Sequence, residues 1–179
     1  MQKKGFTLVE LLVVLSIIAL LMGILMPALG AARRSAYRVG CKQNLHGCSI
    51  AFRMYLDENR NVMPVIFNLP NSTKQEEPNS VSLYGTLGKY LSGKEALKCP
   101  ADKWYGKNTT FFAEEGASYE YNNRLGGRKI EDSWFAKRFG TSEVWILKDY
   151  EPFHGKDGKS GSVMYMYADT LVADRERNK

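Results

Sequence analysis

The residue hardest to explain by packing alone is Glu10, which stands between Val9 and Leu11 at the edge of an uncharged run from Leu11 to Ala32. A charge at the centre of a membrane-spanning helix costs about 2.5–3.5 kcal/mol on insertion scales, and less near an end, so an acid here needs a cation within reach. Cleavage of the chain after Gly5 would give Phe6 a free α-amino group. Glu10 lies four residues beyond it, on the same helix face. The chemistry that this spacing serves is ion pairing.

The other reactive side chains are few: Cys41, Cys48 and Cys99, with His46 and His154. On one helix Cys41 and Cys48 sit about 10.5 Å apart along the axis, beyond the ~7 Å Cα separation that a disulfide spans. Cys99 can therefore bridge to either of them, all three can be buried free thiols, or they can contribute to a metal site. No C-x-x-C spacing favours the metal. His46 falls beside an apolar helical stripe, where a surface or packing role is expected. His154 lies in a Gly- and Lys-rich loop, Glu151 to Gly161, with no cysteine or second histidine close in sequence. The chain has no H-E-x-x-H, G-x-S-x-G or phosphate-binding glycine loop. The adjacent acids Glu114-Glu115 and Glu131-Asp132 are expected to be solvated. Asp149, Glu151, Asp157 and Asp169 offer oxygen donors of the kind a hard cation takes, should they converge. Neither catalytic residues nor a cofactor are expected, with calcium the hard-cation alternative.

The elements that must carry these residues follow from the hydrophobic pattern. The chain has 179 residues with 25 Lys plus Arg against 19 Asp plus Glu, a formal charge of +6. That composition is ordinary for a globule, but its distribution is not. Leu11 to Ala32 would span about 33 Å as helix, the thickness of a bilayer core of ~30 Å. It is too long for a secretory signal's apolar region of ~7–15 residues, although Ala28 and Gly30 could mimic a cleavage site. The basic residues flank the run or are interspersed, and no stretch interleaves aromatics with Lys and Arg as a nucleic-acid surface would. Around and past the arginines, Ala32, Ala36, Val39, Cys41, Leu45, Cys48, Phe52, Tyr55 and the adjacent Leu56 recur mostly at three- and four-residue steps, with one two-residue slip from Val39 to Cys41. One helix is therefore expected from Phe6 to about Glu58, ended by Asn61 to Pro64. Gly23 and Pro27 predict a kink or loosened turn within it. Beyond it, Leu83, Leu87, Tyr90 and Leu91 fit a short helix, and Ser118–Asn122, Glu143–Tyr150 and Ser162–Asp169 read as strands. A long helix followed by strands without βαβ alternation predicts an α+β fold, the helix packed on a small antiparallel sheet. The expected divisions are 1–5, a leader; 6–32, transmembrane; 33–58, amphipathic continuation; and 59–179, an α+β head.

The segment Lys3-Lys4-Gly5-Phe6-Thr7-Leu8-Val9-Glu10-Leu11-Leu12-Val13-Val14 resembles the type IV prepilin signal shared by pilins and type II secretion pseudopilins. The resemblance implies that a prepilin peptidase cuts after Gly5 and that Phe6 is N-methylated. It also implies that Glu10 neutralises the terminal amine of a neighbouring subunit during assembly. By the same resemblance Gly23 and Pro27 mark a segment that unwinds in the filament. The partners are other pilin or pseudopilin subunits and an inner-membrane assembly platform. The chain would cross the inner membrane once, N-terminus cytoplasmic and head periplasmic, before entering an envelope filament. Cys41-Lys42-Gln43-Asn44-Leu45, Met54 to Asn59 with Pro64, Lys98-Cys99-Pro100-Ala101-Asp102 and Ser118-Tyr119-Glu120-Tyr121-Asn122 resemble a large environmental subgroup of prepilin-type proteins. These motif positions favour Cys41 as the disulfide partner of Cys99. The subgroup ends in an Asp-Gly-His-Val tail with a His upstream. Here His154 and Asp169-Thr170-Leu171-Val172 stand in those places, without the Gly or the second His. Major pseudopilins carry calcium in their C-terminal loops, but no residue motif here transfers it. The other reading is a membrane-tethered carbohydrate-binding or hydrolytic domain, with Trp104, Tyr105, Trp134 and Trp145 as a sugar platform.

Overall fold

The computed structural model describes residues 7–66, 82–103, 106–157 and 159–177. Two compact units divide the chain, Met1–Ala36 and Tyr37–Lys179. The helix α1, Leu8–Glu58, contributes to both and runs through Gly23 and Pro27 without a break in its helical assignment.

In the first unit the described part is Thr7 and the helix that follows it. From Leu11 to Ala32 the helix carries no charge, and its large apolar side chains from Leu8 to Leu29 are exposed. The most apolar 18-residue window of α1 has a mean hydropathy of 2.9 and buries nothing within the protein. A helix apolar all round needs an apolar solvent or a partner on every side.

In the second unit α1 becomes one-sided. Cys41, Leu45, Cys48, Phe52 and Leu56 are buried at helical spacing, as the stripe predicts. The buried face begins later than expected, however. Ala32 and Ala36 are exposed and Val39 is 62% exposed. The helix ends at Glu58 because Arg60 (φ 55°) and Asn61 (φ 63°) take left-handed conformations, and the Asn61 N–H turns back to the Leu56 carbonyl at 2.9 Å. Pro64 therefore lies beyond a helix that has already stopped.

Short pieces follow: α2, Leu83–Leu87, capped by Ser82; α3, Phe111–Glu115, capped by Thr110; and α4, Trp134–Phe139, capped by Ser133. The strands β1 (Tyr119–Tyr121), β2 (Trp145–Asp149), β3 (Tyr165–Tyr167) and β4 (Val172–Ala173) form one antiparallel sheet in chain order. The first three fall inside the expected strands and are shorter. Glu143 belongs instead to a 3₁₀ turn, Thr141–Glu143, and β4 is an addition that a two-residue strand cannot announce. The fold is α+β, a long N-terminal helix followed by a four-stranded antiparallel sheet.

Register decides which side chains meet the helix. Tyr119 pairs with Asp149, and Tyr121 with Leu147. All four are buried, while Glu120 and Lys148 share the opposite face and form an ion pair at 2.9 Å. Across the core Phe52 stacks on Tyr121, ring centroids 5.8 Å apart. Removing that ring leaves a cavity where the helix meets the sheet. Phe52→Ala should therefore cost about 3–5 kcal/mol, read as a lowered unfolding midpoint of the full chain in detergent. Val39→Ala, on the exposed face, should stay within about 0.5 kcal/mol.

Candidate functional site

Glu10 makes its contacts at the start of α1. Thr7 is the residue before the helix, and its N–H and hydroxyl both donate to Glu10 Oε2, at 2.9 and 2.7 Å. The Glu10 N–H in turn approaches Thr7 Oγ1 at 3.3 Å. This is a capping box, in which the first residue outside the helix and the third inside it satisfy each other's backbone. The T-x-x-E spacing was present in the sequence as a signal for it. Gly5 and Phe6, the expected cleavage and methylation positions, lie outside the described residues.

The second unit gathers a different set. Cys41 on α1, Cys99 in the loop before α3, Asp149 at the end of β2 and His154 in the loop that follows bring one ligand-type atom each to within 4.8 Å of the others. Cys41 Sγ donates to Asp149 Oδ1 at 3.4 Å and lies 3.6 Å from the Tyr119 hydroxyl. Cys99 Sγ lies 3.4 Å from His154 Nε2, and that nitrogen is 3.6 Å from Asp149 Oδ2. The side chains of His154 and Asp149 are 1% and 0% exposed. Burial and the nearby Arg38 charge lower the His154 pKa to about 4, so the imidazole is neutral at pH 7. Burial raises Asp149 to about 7, against the lowering hydrogen bond from the Met164 N–H at 2.8 Å. The Cys99 thiol, burial and the Asp149 charge push Cys41 up. Cys41 and Cys99 are both free thiols in this arrangement.

Each ligand-type residue is held by its neighbours. Asn44 Nδ2 donates to the Lys98 carbonyl at 2.7 Å, tying the Cys99 loop to α1. Gly40 allows that loop its approach, since a Cβ there would meet Pro100 Cγ at 3.2 Å. Asp102 accepts from the Phe111 and Phe112 N–H groups at 3.0 and 2.8 Å and from Ser118 Oγ at 2.6 Å. Ser118 Oγ itself accepts from the Cys99 N–H at 2.9 Å. Arg38 donates to the Gly161 carbonyl at 2.8 Å and the His154 carbonyl at 3.4 Å. The motif segments around Cys41, Cys99 and Ser118 thus converge on one place, and Pro64 joins them through its carbonyl, which accepts from the Tyr121 hydroxyl at 2.8 Å.

Residues 1–26 match the family model described as the prokaryotic N-terminal methylation motif. The chain carries a prepilin-type signal and is pilin-like. The matched segment ends inside the apolar part of α1, so the rest of the chain is read from its own geometry. Comparison with curated proteins and with solved structures found no match. The signal and the exposed apolar helix together make this pilin-like chain membrane-anchored.

The remaining candidates of the pilin-like chain separate. Asp149 is buried in the cluster above, Asp169 pairs with Arg177 at 2.9 Å and Asp157 is exposed, so the expected carboxylate group forms no metal-type cluster among the described residues. Glu115 is buried on α3, contrary to the solvated position expected of it, whereas Glu114, Glu131 and Asp132 face solvent. His46 is exposed on α1. Trp134 is 73% exposed and Trp145 half-buried on β2, while Trp104 and Tyr105 lie outside the described residues. Cys48 keeps to itself, donating to the Ala96 carbonyl at 3.7 Å with burial raising its pKa to about 12.

Asp102 holds the Cys99 loop without touching the cluster's thiols. Asp102→Ala should strand buried donors at about 1–3 kcal/mol each. Its measure is a lowered unfolding midpoint together with faster alkylation of Cys99. Asp102→Asn, which keeps one acceptor oxygen, should lie between the two.

Proposed function

We propose that this chain is a structural subunit that acts by assembly and turns over no substrate. A prepilin peptidase cuts it after Gly5, Phe6 is N-methylated, and the N-terminal helix packs with other pilin or pseudopilin subunits. The product is a type II secretion pseudopilus or a type IV pilus-like filament, built from an inner-membrane platform. Before assembly the helix spans that membrane with the second unit on the periplasmic side.

The observation that carries this reading is the pairing of the N-terminal methylation motif with a helix whose large apolar side chains from Leu8 to Leu29 are uncovered. Such a surface is satisfied by lipid before assembly and by neighbouring helices after it. Glu10 is the one charge in the described apolar segment, and its partner among the described residues, Thr7, is neutral. A second subunit's terminal amine would supply a cation for it. The capping box holds the carboxylate at the helix start until that amine arrives.

Intact mass of the membrane-extracted chain tests the processing: the expected chain lacks Met1 to Gly5 and carries one added methyl group. An unprocessed chain, or one cut well inside α1, would remove the reading. Glu10→Gln separates assembly from capping, because glutamine also serves in a capping box but brings no charge. The variant should be inserted and processed normally yet leave no sheared filaments. Glu10→Ala adds loss of the cap, about 0.5–2 kcal/mol. Wild-type filament yield from Glu10→Gln would sink the charge role.

A further inference from the structure

We propose that Cys41, Cys99, Asp149 and His154 form a structural zinc site that pins four segments of the second unit together. The proposal does not depend on how the N-terminus is processed.

Geometry supports it first. In a four-coordinate site with bonds of about 2.0–2.3 Å, neighbouring ligand atoms stand about 3.3–3.8 Å apart. Cys41 Sγ lies 3.4 Å from Asp149 Oδ1, Cys99 Sγ 3.4 Å from His154 Nε2, and His154 Nε2 3.6 Å from the other carboxylate oxygen, Asp149 Oδ2. No pair among the four exceeds 4.8 Å, so side-chain shifts of about 1 Å complete the tetrahedron.

Chemistry selects the ion. Two sulfurs, one imidazole and one carboxylate form a borderline-soft set that suits zinc, whereas calcium and magnesium take oxygen ligands. All four ligands come from the protein and are shielded from water, the closed form of a structural site rather than the open form of a catalytic one. On binding, the two S–H bonds break heterolytically. Their electron pairs become the zinc–sulfur bonds, and two protons, with any on Asp149, leave to solvent as zinc sheds its waters. No oxidant is involved.

The surroundings are those of a second layer. The Met164 N–H holds Asp149 Oδ2 at 2.8 Å, the Tyr119 hydroxyl stands 3.6 Å from Cys41 Sγ, and Ser118 fixes the Cys99 backbone at 2.9 Å. Two thiolates and a carboxylate around a divalent ion leave one net negative charge. The Arg38 guanidinium, bonded to the His154 carbonyl at 3.4 Å, supplies a compensating positive one.

The full chain in detergent, reduced and stripped of metal, tests this with Zn2+ alone and with Co2+ as a spectroscopic probe. About one zinc per chain should bind and raise the unfolding midpoint. Co2+ should give tetrahedral d–d bands together with sulfur-to-cobalt charge transfer. Cys41→Ser, Cys99→Ser, Asp149→Asn and His154→Ala should each weaken binding at least about tenfold, and Cys48→Ser should bind as wild type. The cobalt spectrum and metal protection of the wild-type thiols from alkylation need no variant, so a misfolded mutant does not decide the matter. Failure of the reduced wild-type chain to bind zinc would overturn the site. So would cobalt bands without sulfur charge transfer, or isolation of the chain with a Cys41–Cys99 disulfide and no zinc.

Discussion

One helix in this protein must satisfy two environments, and that constraint organises everything else. From Leu11 to Ala32 it is uncharged, and its large apolar side chains are exposed among the described residues. From Cys41 it buries a single face against the sheet. Hydrophobic burial is not directional, so an all-apolar cylinder is content with lipid or with copies of itself. A one-sided stripe, by contrast, selects a particular sheet in a particular rotation. Sliding α1 by one residue would turn Cys41, Leu45 and Phe52 away from the core by about 100°. The choice of core residues on α1 thereby fixes which helix position faces the paired Tyr119 and Asp149.

The patterns legible in the sequence were the local ones. The run from Leu11 to Ala32, the stripe through Cys41 to Leu56 and three of the four strands each announce themselves within a window of ten or twenty residues. So did the prepilin-type signal, where a basic pair, Gly5, Phe6 and Glu10 sit in order. The helix stop near Glu58 was legible too, although its cause lies in two left-handed residues, Arg60 and Asn61, rather than in Pro64. Val39 looked like core by spacing and proved exposed, because spacing marks a face but not where the covering sheet begins.

The Cys–Asp–His cluster was illegible for a physical reason. Its members belong to a helix, two loops and a strand end, and what unites them is strand register. Tyr119 stands opposite Asp149 only in the observed pairing. A shift of one residue would send Asp149 to the face of Glu120 and Lys148. Sequence spacing carries no trace of that pairing, and so His154 read as an isolated loop histidine and Asp149 as one of four oxygen donors for a hard cation. The motifs around Cys41, Cys99 and Ser118 pointed to the right segments without saying that they meet.

Two thiols meeting in a core invite a disulfide as the simpler account, and the two accounts differ in what they explain. A disulfide ties α1 to the loop before α3 and uses only Cys41 and Cys99. It leaves Asp149, its side chain 0% exposed, beside the His154 imidazole with no role for either side chain. Burying an unpaired carboxylate is costly, and proteins keep one where a cation or a full set of donors repays it. The one backbone donor on Asp149, from Met164, is a partial answer. A divalent ion accounts for all four side chains at once, and for Arg38 as well, whose guanidinium anchors the His154 loop where the site's residual negative charge would lie. It also joins the sheet to the helix through Asp149, which a sulfur–sulfur bond cannot do. On that ground the carboxylate, more than either cysteine, argues for a metal.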